Sequence, residues 1–88
     1  MAKVLLVDDE MTLLQTISEL IRLEGHEVLP CTNGTAAVSA LGNQSPEIVI
    51  TDLYLDKTRD QGLNILQKAR ALDPPATVIV ITGFGSIE

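Results

Sequence analysis

The sequence predicts an α/β fold: a doubly wound parallel sheet of four strands, in the order 2-1-3-4, with helices on both faces. Three observations predict it. Apolar runs of strand length alternate along the chain with longer runs of helical period, giving the order βαβαβαβ. The strand runs lack polar alternation, as expected of strands covered on both faces by crossover helices. Two of them, "AKVLLVDDE" and "EIVITDLYLD", run straight into carboxylates: Asp8 and Asp9 in the first, Asp52 in the second. In doubly wound sheets, ligands bind beyond the carboxyl ends of the strands, where strand order switches. In the order 2-1-3-4 the first and third strands are neighbours at that switch. Asp8, Asp9 and Asp52 should therefore meet in one crevice.

Each element has its own local warrant. Lys3 to Val7 is a continuous apolar run of strand length. Thr12 to Leu23 shows helical spacing, with Leu13, Ile17 and Leu20 on one stripe and Leu14 and Ile21 beside it. Asp8 or Asp9 is expected to cap its start and Gly25 to end it in the left-handed conformation. Glu27 to Cys31 reads as a second, poorer strand. Thr35 to Leu41 reads as a short Ala-rich helix flanked by Gly34 and Gly42. Glu47 to Thr51 is the third strand. Gly62 to Leu72 is the third helix, apolar at Leu63, Ile65, Leu66, Ala69 and Leu72, and Pro74 and Pro75 stop it. Thr77 to Ile81, "TVIVI", is the fourth strand.

Composition narrows the function. At 88 residues the chain is one domain, and 45% apolar residues let it form a small core. A net charge of −6 with no basic run argues against nucleic-acid binding, which needs Lys and Arg against phosphates. The single cysteine, Cys31, cannot form an internal disulfide and reads as a small buried hydrophobe. No run reaches the roughly 20 apolar residues of a membrane span, and the first apolar run breaks at Asp8 before it could serve as a signal peptide. A soluble cytoplasmic protein is expected. His26, between Gly25 and Glu27, reads as a solvated turn residue, and the charges at Glu24, Glu27, Lys57 and Asp60 as surface.

Three carboxylates brought together repel and raise one another's pKa unless a cation joins them. Oxygen-only ligands favour a hard ion such as Mg²⁺, and a carboxylate beside it can act as a nucleophile toward phosphorus. Thr82 follows the fourth strand and could donate a hydroxyl to an anion, which Gly83 would allow close to the backbone. An isolated Asp pair at a helix start is more often a cap. The register of Asp52 and Thr82 with that pair favours a metal and phosphoryl site.

These stretches, "VLLVDDE", "IVITDLYL" and "VIVITGFGS", resemble three signatures of the response-regulator receiver domain of two-component signalling, in the right order with about the right spacing. The resemblance covers most of the chain and implies a flavodoxin-like sheet. It implies that Asp52 accepts a phosphoryl group from a sensor histidine kinase. It implies that Asp9 binds Mg²⁺ directly, Asp8 mainly through water, and the Tyr54 carbonyl as a further ligand. Thr82 would be the switch hydroxyl. Such a protein is a phosphoacceptor with possible self-phosphorylation and self-dephosphorylation, not a turnover enzyme. The tail "TGFGSIE" looks most like receivers of the nitrogen-regulation type, which implies a C-terminal output domain and a role in transcription regulation.

The sequence also departs from the family. Asp56 stands where the family usually has Pro, and the loop through "DKTRDQ" is about two residues longer than usual. Receivers have five βα units, so a chain ending at Glu88 is expected to lack the fifth unit and most of the fourth helix. The family's lysine would be missing with them; neither Lys57 nor Lys68 takes its place. "TVIVI" would then be an open edge strand, and self-association of the 88-residue chain is expected. Two enzyme or cofactor rivals fit less well. Aspartyl-phosphate phosphatases of the haloacid-dehalogenase type want a second acid two residues after the nucleophile, where this chain has Tyr54. A flavin mononucleotide binder wants a Ser/Thr/Gly-rich loop after the first strand. An interaction module with a degenerate receiver site is the remaining alternative.

Overall fold

The computed structural model describes residues 1–52 and 59–81. Four strands and three helices alternate: β1 (Lys3–Val7), α1 (Met11–Leu23), β2 (Glu27–Cys31), α2 (Gly34–Gln44), β3 (Ile48–Asp52), α3 (Arg59–Arg70) and β4 (Thr77–Ile81). The sheet is parallel throughout, in the order β2-β1-β3-β4, as the sequence predicts. The register pairs Val7 with Cys31 on one side and with Thr51 on the other.

The core lies in two layers. Leu5, Val7 and Val49 of the sheet pack with Ala37 and Leu41 of α2 and with Ile65 and Ala69 of α3. On the opposite face, Leu6 and Val28 pack with Leu14 of α1, and Ile17, Ile21 and Ile50 close around them. Burying a side chain such as Leu5 or Ile65, both fully inaccessible, contributes about 1.5–3 kcal/mol.

The helix boundaries show which local signals operate. α1 is capped by Glu10 with no side-chain bond, so neither Asp8 nor Asp9 is its cap. Its C-terminus follows the sequence: Gly25 takes φ +94°, its N–H donates to the Arg22 carbonyl, and the His26 N–H donates to the Ile21 carbonyl. α2 runs longer than expected. The Asn33 side chain accepts from the Ala36 N–H and starts the helix early, Gly42 lies inside it, and Ser45 ends it in the left-handed region at φ 47°. α3 begins at Arg59, ahead of the expected Gly62, and Arg70 is its last residue. β3 is shifted by one residue, so Asp52 is the last residue of the strand.

Two expected apolar stripes are corrected. α1 buries Leu14 and Ser18, while Leu13 and Leu20 are exposed. α3 buries Gly62, Ile65 and Ala69 and leaves Leu63 at the surface. In each helix two adjacent apolar rows compete for the sheet, and periodicity alone does not rank them. The full two-sided burial expected of the strands holds for Val4–Val7 of β1. It fails for β4, where Ile79, Val80 and Ile81 are 48%, 38% and 42% exposed, because among the described residues β4 pairs with β3 alone. His26 is half-buried, and its Nδ1 accepts the Ala2 N–H at 3.0 Å, so it ties down the N-terminus where a solvated turn residue was expected.

Candidate phosphoryl and metal site

The parallel ladder builds the site. Because Val7 registers with Thr51, the next residue of each strand, Asp8 and Asp52, leaves the same end of the sheet side by side. The Asp8 N–H donates to the Cys31 carbonyl at 3.1 Å, which extends the β1–β2 ladder by one bond and fixes the Asp8 backbone. Its carboxylate accepts the Glu10 N–H at 2.9 Å, a local turn that folds the chain back toward α1. Asp9 lies within that turn and is exposed. The expected convergence is present: Asp8, Asp9 and Asp52 each bring a carboxylate oxygen within 4.8 Å of the others.

Asp8 is the buried member, 7% exposed, with Asp52 half-buried. Burial pushes the Asp8 carboxyl above its ordinary value, the Glu10 N–H bond opposes that shift, and the charges of Asp52 and Asp9 add to it. Such a cluster fits a small hard cation. Two oxygens on one Mg²⁺, each at about 2.0–2.1 Å, sit at most about 4.2 Å apart. A small side-chain adjustment, or a water in front of one acid, lets all three share an ion. A groove of about 590 Å³ beside α1 and β2, lined by Met11, Leu14, Ser18 and Pro30 among others, includes none of the three acids. The acids form an open cluster at the sheet edge.

The remaining expected site residues, Tyr54 and Thr82, lie outside the described residues, as do Asp56, Lys57 and Gly83. Lys68 is in the last turn of α3. That helix returns between two parallel strands, so Lys68 lies toward the sheet end opposite the acids. Cys31 is half-buried against the α2–α3 layer, where burial pushes its thiol up. Two contributions went unread in the sequence. One is the backbone N–H of Glu10, which no sequence signal singles out. The other is Thr51, a fully buried hydroxyl directly before Asp52 that donates to the Asp52 carbonyl at 3.0 Å. Its signal was a polar residue inside an otherwise aliphatic strand.

No helix among the described residues is long and apolar enough to cross a membrane. The sequence model described as "Response regulator receiver domain" matches residues 4–88. The probable transcriptional regulatory protein TcrX of Mycobacterium tuberculosis is 33% identical over 85 residues, 97% of this chain and 36% of that protein. A putative NtrX-like response regulator of Rickettsia bellii is 34% identical over 85 residues, 97% of this chain and 18% of its own length. The chain thus spans well under half of either relative. Among solved structures, the response regulator TrrA of Thermotoga maritima, in complex with Mg²⁺-BeF, superposes with a TM-score of 0.83 at 26% identity, covering 97% of this chain and 72% of that one. With its sheet order, its acidic cluster and this match over nearly its whole length, the chain belongs to the response regulator receiver domain family of two-component signalling.

Proposed function

We propose that Asp52 is the phosphoacceptor, taking a phosphoryl group from a phosphohistidine of a sensor histidine kinase in a Mg²⁺-dependent transfer. The observation that carries this reading is the convergence of Asp8, Asp9 and Asp52 within 4.8 Å at the carboxyl ends of β1 and β3. An Asp52 carboxylate oxygen attacks phosphorus, a P–O bond forms, the P–N bond to the kinase imidazole breaks, and the imidazole leaves with that electron pair. Asp52 ends as an acyl phosphate. Asp9 would hold the cation directly, Asp8 through water, and Tyr54 through its carbonyl. When bound, Mg²⁺ supplies the positive charge that lets three carboxylates and a phosphoryl group share one site. Thr82 would donate its hydroxyl to a phosphoryl oxygen. Receiver domains generally bind Mg²⁺, and the Thermotoga maritima relative was solved with Mg²⁺-BeF.

We read residues 1–88 as one receiver unit, acting in the cytoplasm and joined in a longer protein to an output domain. The small share of the relatives that it spans supports this. The TcrX relative, a probable transcriptional regulatory protein, supports an output that controls transcription. The test is an intact-mass time course with Mg²⁺ and acetyl phosphate, repeated with chelator. A receiver gains at most one phosphoryl group per chain and needs the metal. Sustained hydrolysis of donor with no phosphorylated chain accumulating would indicate a phosphatase. No mass gain in any condition would leave an interaction module.

A further inference from the structure

We propose that His26 is a proton-operated latch: its neutral imidazole holds the chain at the start of β1, and a second proton on the ring releases it. The inference does not depend on Asp52 being the acceptor. It concerns the end of β1 opposite the acids.

Three elements meet at this residue. The His26 backbone N–H donates to the Ile21 carbonyl, in the turn through Gly25 that ends α1. The next residue, Glu27, opens β2 and donates its N–H to the Ala2 carbonyl at 2.9 Å. The Ala2 N–H donates to His26 Nδ1 at 3.0 Å. Two adjacent residues therefore hold both backbone polar groups of Ala2, directly before β1 begins at Lys3. His26 and Ala2 are both half-buried. This side-chain bond spans 24 residues of sequence, so it closes the base of the β1–β2 pair where the regular ladder starts.

The direction of that bond fixes the protonation state it needs. A ring nitrogen that accepts an N–H carries no proton, so the single imidazole proton sits on Nε2. A protonated imidazole has N–H at both nitrogens and accepts at neither. The second proton therefore sets one N–H against another, and the ring must give up Ala2. Imidazole is the side chain that ordinarily changes charge between about pH 5 and 8. The other charged groups on the elements meeting here are Arg22 and Glu24 at the end of α1 and Glu27 at the start of β2. On the β1 side they are Lys3, the Met1 amino group, and Glu47, whose Oε1 accepts the Lys3 N–H at 3.0 Å. Carboxylates, guanidinium groups and lysine amines ordinarily keep their charge across that window, and an α-amino group does not. His26 and the Met1 amino group are thus the two groups that a test must separate.

Two substitutions separate them, read by NMR of the metal-free chain between about pH 8 and pH 5. At the upper end the wild-type imidazole nitrogens should show the Nε2–H tautomer, with Nδ1 unprotonated. On acidification the Ala2 amide proton should move in step with the ring. Exchange of the Glu27 amide on the adjoining rung, corrected for its intrinsic pH dependence, should quicken roughly 2- to 10-fold, the worth of one net hydrogen bond. His26→Asn places an oxygen as many bonds from the backbone as Nδ1, and that oxygen accepts without titrating. In that variant the Ala2 amide should stay level across the range and Glu27 should keep its protection. His26→Leu removes the acceptor and should show the released pattern at every pH. A wild-type ring found as the Nδ1–H tautomer at the upper end would overturn the proposal. So would an Ala2 transition of equal size in His26→Asn, which would assign it to the Met1 amino group. Glu27 protection in His26→Leu equal to that of wild type at the upper end would do the same.

Discussion

Asp8 is where the chain accepts instability for the sake of its site. Its carboxyl is buried beside two other acids, and burial raises its folded-state pKa above the ordinary 3.8. Between 3.8 and the raised value the folded metal-free chain binds more protons than the unfolded one. Its stability therefore falls as pH rises through that window, and the loss persists above it. Asp8→Asn removes the charge while its side-chain oxygen can still accept the Glu10 N–H. The variant is expected to melt higher than wild type at neutral pH without metal, and to lose that advantage below the ordinary carboxylate range. Thermal melts across pH check this; equal melting temperatures at neutral pH would contradict it. Metal should reverse the ranking, since Mg²⁺ stabilises whichever chain binds it. By calorimetric titration, Asp9→Ala should weaken Mg²⁺ more than Asp8→Ala, because Asp9 is the proposed direct ligand. Equal affinities would remove that distinction.

At the scale of elements, α1 shows both what the sequence conveys and what it hides. Its strand-to-helix transition, its end at Gly25 and its place against the sheet are legible from spacing and from one glycine. Which of two apolar rows faces inward is not, because Leu13–Ile17–Leu20 and Leu14–Ile21 are equally periodic. The choice is made by β1 and β2, where Leu6 and Val28 receive Leu14. That choice also buries Ser18, whose Oγ is the buried side-chain polar atom left without a hydrogen bond among the described residues. Ser18→Ala is expected to stabilise the fold by about 1 kcal/mol, combining relief of a buried hydroxyl with a better helix former. Gly25→Ala should cost about 1–2 kcal/mol through backbone strain, since φ is +94° and a Cβ there would meet nothing within 4 Å. Denaturant melts of the two variants should move in opposite directions.

At the scale of the whole molecule, the sheet order and the meeting of Asp8, Asp9 and Asp52 could be read from the sequence for one reason. Parallel strands without polar alternation admit few arrangements, and the acids sit at their ends. Thr51 could not be given a role, because a hydroxyl in a strand becomes a hydrogen bond only once its carbonyl partner is placed. Tyr54 and Thr82, whose roles are proposed from the resemblance, fall outside the described residues. β4 carries a further expectation. It has no charge or proline, its last three residues are 38–48% exposed, and among the described residues one of its edges is unpaired. Such edges recruit other strands. The 88-residue chain, prepared alone, should therefore self-associate at micromolar concentration, and Val80→Lys should shift it toward monomer. Sedimentation showing a stable monomer of the wild-type chain would refute this.

The central claim is that the acidic end of β3 is a phosphoacceptor, and one measurement reaches it most directly. Wild-type and Asp52→Asn chains are incubated with Mg²⁺ and acetyl phosphate, and their intact masses are compared, with peptide mapping of any labelled species. The account predicts one phosphoryl group on the wild-type chain, mapped to Asp52, and none on Asp52→Asn. Full labelling of Asp52→Asn, or a wild-type label mapped to another residue, would contradict it.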